Sequence, residues 1–259
     1  MCFDYRHVNR KMKPDVYPLP RLWDLVQKVA HHKWYVTVDV NWGFWSLPLH
    51  PDSREPTAIL TPKGLRQFNI CPFGIRNSPP EFQRMIDDVV QGMKNLICYV
   101  DDIVMYDNEF CPLLANLREL LQRFADKGLY LKISKLELFV SSVQALGFIV
   151  SEEGVKPNPK KVQGLVDAKL PRTKKQLRSF IGTVGFLRRF IPNCSEVLGP
   201  LTRLLRKGVS YTLTQECVDA FVYLKTLITE HTLLTAPRGE GAFVIACDAS
   251  SYGLGLVLL

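Results

Sequence analysis

Apolar residues fall at helical spacing in "LWDLVQKVA" (22–30), after an extended connector, "YPLPR" (17–21). "KWYVTVDVN" (33–41) is β-branched and aromatic and predicts a strand with Asp39 near its C-terminal end; "GFWSLPL" (43–49) follows closely. "NSPPEFQRMIDDVVQG" predicts a helix start, with Ser78 as cap, Pro79 at the first helical position and Glu81 completing an S-x-x-E capping box. Extended runs at 96–100 and 103–106 make a hairpin with Asp101 and Asp102 at its tip. "LLANLRELLQRFADKG" is an amphipathic helix closed by Gly128, and short strands are expected near 129–133 and 145–150, ending in the turn "SEEG" (151–154). Four helical patterns then succeed one another: "NPKKVQGLVDA", "TKKQLRSFIGTVGFLRRF", "SEVLGPLTRLLRK" and "TQECVDAFVYLKTLITE". "GAFVIACDASSYGLGLVLL" reads as two strands joined by a Gly/Ser turn. The pattern is an α+β unit to about residue 153, a helical unit to about 208, a short connector and the start of another β-rich unit.

Composition narrows the class. At 259 residues the chain can form one large domain or two or three small ones, and its 47% hydrophobic and 22% charged content is that of a globular protein. No apolar run approaches a membrane span and no signal-peptide pattern opens the chain. Seven cysteines without a CxxC pair argue against a disulfide framework and a zinc knuckle, and suit a reducing, intracellular compartment. The five histidines show no metal-ligand spacing. The net charge of +8 is concentrated: residues 155–208 carry 13 Lys/Arg against Asp167 and Glu196, a local +11, and the remainder is −3. That excess is either the solvated face of a helical bundle or a grip on a polyanion, whose phosphates Lys and Arg neutralise with counterion release.

Asp101 and Asp102 sit in an otherwise apolar run, and burying an unpaired carboxylate costs several kcal/mol or forces protonation. Two readings stand: a solvated turn, which Asp favours, or one part of a metal cradle. For the second, Asp39 on another apolar strand is the natural partner, because carboxylates from separate strands can hold two Mg2+ ions for in-line phosphoryl transfer. Ser46, Ser78 and Ser134 have no His–Asp context, and no G-x-x-x-x-G-K loop occurs.

With these residues placed, the sequence resembles the reverse transcriptase of gypsy-class LTR retrotransposons and retroviruses along nearly its whole length. The blocks run in family order: "FDYRHVNRKM", "YPLPR", "YVTVDVNWGFWSLPL", "CPFGIRNSPPEFQRMID", "YVDD", "LYLKISKLELF", "LGFIVSEEGVKPNPKKV", "LRSFIGTVGFLRRFI", "PLTRLL" and "DASSYGLGLVL". The resemblance implies a right-hand polymerase: partial fingers and palm over 1–153, a thumb over 154–208, a connection over 209–240, and over 241–259 the truncated start of a ribonuclease H-like domain.

It also implies roles. Asp39 and Asp101 would ligate two Mg2+ ions, Mn2+ being an alternative, with Asp102 completing the acidic triad and the Val40 carbonyl as a further ligand. Phe44 falls at the steric-gate position that favours dNTPs, the lesser alternative being an ordinary core residue, and Pro72, Phe73 and Gly74 at the loop beneath the incoming nucleotide. Lys135 is a candidate proton donor to pyrophosphate or a surface lysine. Arg6, Asn9 and Tyr99 fall at template or primer positions, and Leu146, Gly147 and Phe148 at the primer grip. The helix from Thr173 to Phe190 would track the duplex minor groove through Lys174, Lys175, Arg178, Arg188 and Arg189, with Gly182 and Gly185 allowing close approach or serving helix packing.

The departures set the expectations. "NWGFW" puts a bulky Trp42 beside the cradle where the family has R-S-G-[YF], and the outer finger strands are not in this sequence. Asp248 alone represents the ribonuclease H acids, so no ribonuclease H activity is expected. The expected function is RNA-directed DNA polymerisation on a primed RNA or DNA template with dNTPs, in the cytoplasm (a virus-like particle) or the nucleus. Protease, ribonuclease H and integrase domains would flank it in a longer polyprotein. The alternative is an element-derived remnant that binds nucleic acid without catalysis.

Overall fold

The computed structural model describes residues 3–230, 233–234, 245–250 and 253–258. After a short helix α1 (Arg6–Lys11) and α2 (Leu22–Val29), strand β1 (Trp34–Asn41) forms the centre of a five-stranded sheet. Its period-2 alternation builds two cores: Val36, Val38 and Val40 face one way, and Tyr35 faces the other with Thr37 and Asp39. A hairpin, β2 (Ile59–Thr61) and β3 (Gly64–Arg66), projects separately. Helix α3 (Ser78–Val89) and the later α4 (Phe110–Asp126) close the valine side with Phe82, Ile86, Leu113, Leu117, Leu120 and Phe124. Between them run β4 (Leu96–Tyr99) and β5 (Asp102–Asp107), the expected hairpin, with β5 paired to β1.

Gly128 ends α4 as expected: at φ +68° it lets its own N–H donate to Ala125 and the Leu129 N–H to Phe124, satisfying the last carbonyls. The capping box at α3 does not form. Ser78 lies inside the helix, Asn77 precedes it, and the buried Ser78 hydroxyl is 2.7 Å from Cys71 Sγ, a tertiary contact that removes it from capping.

The two short strands expected after α4 differ from what forms. Strand β6 (Tyr130–Leu131) is only a bridge to the end of β1, and β7 (Glu137–Val140) pairs with the earlier part of β1. The single strand expected at 145–150 is a turn between β8 (Ser142–Ala145) and β9 (Phe148–Ser151): Leu146 at φ 52° and Gly147 at φ 86° reverse the chain. Both central residues having positive φ is the primed geometry that two-residue hairpins favour. The turn at 151–154 forms and leads into β10 (Gly154–Pro157).

The basic helical region packs on the Tyr35 side. Helices α5 (Pro159–Val166), α6 (Lys174–Leu187), α7 (Cys194–Val197), α8 (Gly199–Arg203) and α9 (Gln215–Glu230) join β8–β10 and α2 in one core. The expected helix over 195–207 is broken because Pro200 has no N–H to continue it. Strands β11 (Ile245–Ser250) and β12 (Gly253–Leu258) pair as expected, Asp248 opposite Gly255; the Gly/Ser turn at 251–252 and residues 241–244 and 259 lie outside the described residues. No described helix is long and apolar enough to cross a membrane, and the described cysteines are free thiols.

Candidate active site

The β1–β5 ladder places Asp39 directly opposite Asp102, on the same face of the sheet. Asp101 precedes Asp102 in the two-residue turn between Tyr99 and Asp102, and its carbonyl accepts the Val40 N–H at 3.4 Å. Three carboxylates from two strands are thereby gathered at one end of the sheet, with Tyr99, itself half-buried, paired opposite Asp102.

The turn is strained. Val100, a β-branched residue, has φ 52°, a region such side chains rarely enter, at a cost of about 1–3 kcal/mol. Gln83, only 1% exposed, sustains it: its Oε1 accepts the Val100 N–H at 2.7 Å, while its Nε2 donates to Asp87 at 2.9 Å. Gly43 is the second support. A Cβ there would lie 2.6 Å from Asp101 Oδ1 and 2.9 Å from the Phe82 ring, so only glycine leaves room for this carboxylate. Neither residue was singled out from sequence. A buried amide on the apolar face of α3 was the available signal for Gln83; nothing local marked Gly43.

Electrostatics make the acids an unsolved problem for the apo fold. Burial, then the neighbouring Asp39, pushes the Asp101 carboxyl above the usual carboxylate range, and Asp102 rises for the same reasons. Asp101 Oδ1 is buried without a hydrogen-bond partner. Among the described residues the counter-charge is Lys135, whose Nζ lies 2.5 Å from Asp39 Oδ2 and whose pKa is raised by that hydrogen bond. Among the described residues no three His, Cys, Asp or Glu side chains converge closely enough to hold a metal as placed. The donors nevertheless fit a hard divalent cation: all are carboxylates, one has an orphaned oxygen, and the repulsion among them lacks an answer beyond one lysine. Lys135→Met is therefore expected to lower Tm in EDTA by a few degrees, about 1 kcal/mol, and Mg2+ is expected to restore it; calorimetry with and without the ion reads this.

A cavity of about 410 Å3 opens beside the acids, lined by Asp39, Asp102, Lys135, Gln144 and Ala145. A larger one, about 730 Å3, lies between α1 and residues 47–57 and includes none of the acids. Phe44 is half-buried, its ring edge-on to Phe73 (5.6 Å) and Phe82 (5.7 Å), next to the Gly43 that borders Asp101. Gly74, at φ +94°, and the exposed Phe73 form the adjoining loop. Trp42, 61% exposed in left-handed backbone, stands against Trp45 rather than in the core.

Asn9 is engaged inside the protein: its amide donates to the Gly74 carbonyl at 2.8 Å and accepts the Arg76 N–H, fastening α1 to this loop. Arg6 is paired with Asp4. On α6, Lys175, Arg178, Gly182, Gly185 and, just beyond the helix, Arg189 follow one exposed stripe, and nothing lies within 4 Å of a Cβ at either glycine. Among the described residues no helix packs on these glycines. Arg188 is also exposed, Arg189 lies over the Trp23 ring at 4.6 Å, and Lys174 donates to the Val209 carbonyl. Leu146, Gly147 and Phe148 occupy the β8–β9 turn, where Phe148 stacks on Phe186 of α6 at 4.8 Å and 9°. Asp248 is on β11, away from the acids in sequence.

Residues 1–150 match the family of reverse transcriptases (RNA-dependent DNA polymerases), and residues 213–259 match the RNase H-like domain found in reverse transcriptase. The whole chain aligns with the retrovirus-related Pol polyprotein from transposon 297 of Drosophila melanogaster, 34% identical over 261 residues and 25% of that relative's length. It aligns equally fully with the transposon Tf2-3 polyprotein of Schizosaccharomyces pombe, 27% identical over 260 residues and 20% of its length. The chain thus spans about a quarter or less of these curated relatives. Among solved structures, the foamy viral protease–reverse transcriptase in complex with dsDNA superimposes with a TM-score of 0.87 at 25% identity, covering 95% of this chain and 52% of that one. The same viral protein in complex with an RNA/DNA hybrid gives 0.84 at 23% identity, 99% and 37%, a likeness of fold.

Proposed function

Because the chain belongs to the reverse transcriptase family, we propose that it is the RNA-directed DNA polymerase core of an LTR retrotransposon polyprotein, adding dNTPs to a primer 3′-OH on an RNA or DNA template. The observation that carries this reading is the acidic group itself: Asp39 opposite Asp102, with the buried, unpartnered oxygen of Asp101 held beside them by a strained turn. A fold keeps such a costly arrangement where the charge is used. The proposed division is fingers and palm to residue 153, a thumb to 208, a connection to 240 and a ribonuclease H-like start beyond.

Asp39 and Asp101 would hold two Mg2+ ions, with Asp102 and the Val40 carbonyl in support. The bound ions supply a lowered pKa for the primer hydroxyl and neutralisation of the charge on the departing pyrophosphate. The chain's own groups do the rest. Phe44, fixed between Phe73 and Phe82, limits space beside the sugar. The Phe73–Gly74 loop underlies the nucleotide, and the exposed stripe of α6 carries charge to the duplex backbone. Lys135 holds its proton at Nζ against Asp39; serving as a proton donor to pyrophosphate requires it to leave that carboxylate.

Primer extension on poly(rA)/oligo(dT) with Mg2+ tests the reading: incorporation of dTTP is expected, and its complete absence with a folded, duplex-binding chain overturns it. Phe44→Ala is expected to raise the use of rNTPs relative to dNTPs by about 10- to 100-fold, measured as the ratio of kcat/KM values. A second reading, nucleic-acid binding without catalysis, is favoured by two observations: Lys135 already answers Asp39, and the three acids do not converge as placed. Tight, salt-dependent duplex binding with no incorporation selects it.

A further inference from the structure

Lys161, on α5, is one of 13 bases in the +11 segment, but its setting is unlike that of an ordinary surface lysine. Its Nζ lies 3.4 Å from the centre of the Phe186 ring, and no described carboxylate comes within ion-pair distance of it. A Cβ on Gly147 would fall 2.5 Å from that Nζ, so the ammonium sits against the backbone of the Leu146–Gly147 turn. Burial lowers its pKa, in contrast to Lys135, which a carboxylate raises. Lys161 is an exposed residue whose ammonium rests on a ring face with no anion beside it, and a ring face answers only part of its charge.

The turn's place on the sheet says which anion belongs there. Strand β8 lines the cavity at the acids through Gln144 and Ala145, then ends at Leu146–Gly147; across the turn, Phe148 stacks on Phe186, and Phe186 lies on the helix whose exposed stripe carries Arg178, Gly182, Gly185 and Arg189. A strand leaving the acids along β8 toward that stripe passes the turn. Both positive-φ residues hold the backbone there without a bulky side chain at 147, leaving Lys161 reachable.

We propose that Lys161 is a phosphodiester-binding residue: its ammonium, preset over Phe186, contacts a backbone phosphate of the nucleic acid as it passes the Leu146–Gly147 turn. The inference rests on the nucleic-acid-binding part of the reading above and needs no catalysis. A solely structural lysine, clamped on Phe186 to stiffen the turn, makes a different prediction, since its removal alters stability and not the count of phosphates contacted.

The test is equilibrium binding of the full chain to a labelled RNA/DNA hybrid by fluorescence anisotropy across a KCl series, with Tm recorded for each protein. Lys161→Met is expected to weaken binding severalfold and reduce the slope of log K against log[KCl] by about one, the share of one phosphate contact. Lys161→Arg is expected to restore the slope, and Lys127→Met, at the residue that follows α4, to leave it at the parent's value. An unchanged slope in Lys161→Met, with or without a lower Tm, overturns the proposal, as does a parent chain that binds no duplex. A parent that binds duplex yet incorporates no nucleotide overturns the polymerase reading and leaves this one to the slope.

Discussion

Asp101→Asn is expected to lose primer extension by a hundredfold or more and, in EDTA, to melt higher than the parent by about 2–4 °C, near 1 kcal/mol. The two effects have one origin. Burial and the Asp39 charge raise the Asp101 pKa, so at neutral pH the ionised carboxylate is held in a place that disfavours its charge. The sign follows from linkage. An acid whose pKa is higher in the folded state binds its proton more tightly there, so the fold loses stability as pH rises from the ordinary carboxylate range through the raised value. The amide carries no charge and escapes that penalty. The stability gap between variant and parent should therefore narrow on acidification and also narrow on adding Mg2+, which stabilises only the parent. A variant that extends primers like the parent removes Asp101 from the chemistry; one that melts lower shows that its oxygen had a partner.

Gly43→Ala is expected to be nearly as damaging to catalysis although it removes no carboxylate: a loss of about a hundredfold in kcat, with a stability cost of about 1–3 kcal/mol. A methyl group there meets Asp101 Oδ1 at 2.6 Å and the Phe82 ring at 2.9 Å. Phe82 is completely buried and has no room to retreat, so the short aspartate side chain must move. The informative comparison is with Phe82→Leu in the Gly43→Ala background. Relieving the ring contact should recover stability without recovering turnover, because the clash with the carboxylate remains. Recovery of both would place the damage in packing alone.

The elements with local causes were legible in the sequence. The β4–β5 hairpin, the end of α4 at Gly128 and the isolation of Asp39, Asp101 and Asp102 in apolar strands all follow from residues within a few positions. What was illegible depends on distant partners. Ser78 carries every mark of a helix cap but is taken by Cys71. The run 145–150 has strand composition throughout, yet Gly147 yields to the approach of Lys161 and Phe186 and the chain turns back. Gln83 and Gly43 matter because of Val100 and Asp101, which lie 17 and 58 positions away. Among 13 bases in one segment, composition could not say which sits against the Leu146–Gly147 turn.

The aromatic contacts around Phe148 have a mechanical meaning. Phe148 meets Phe186 and Phe190 from the α6 side and Trp23 from α2, and Trp23 in turn meets Phe190 edge-on at 6.3 Å. Rings from three separate elements interlock there, so bending the molecule at the β8–β9 turn would have to unstack several at once. The turn and the last part of α6 would travel as one rigid lever, held at a fixed distance from the acids.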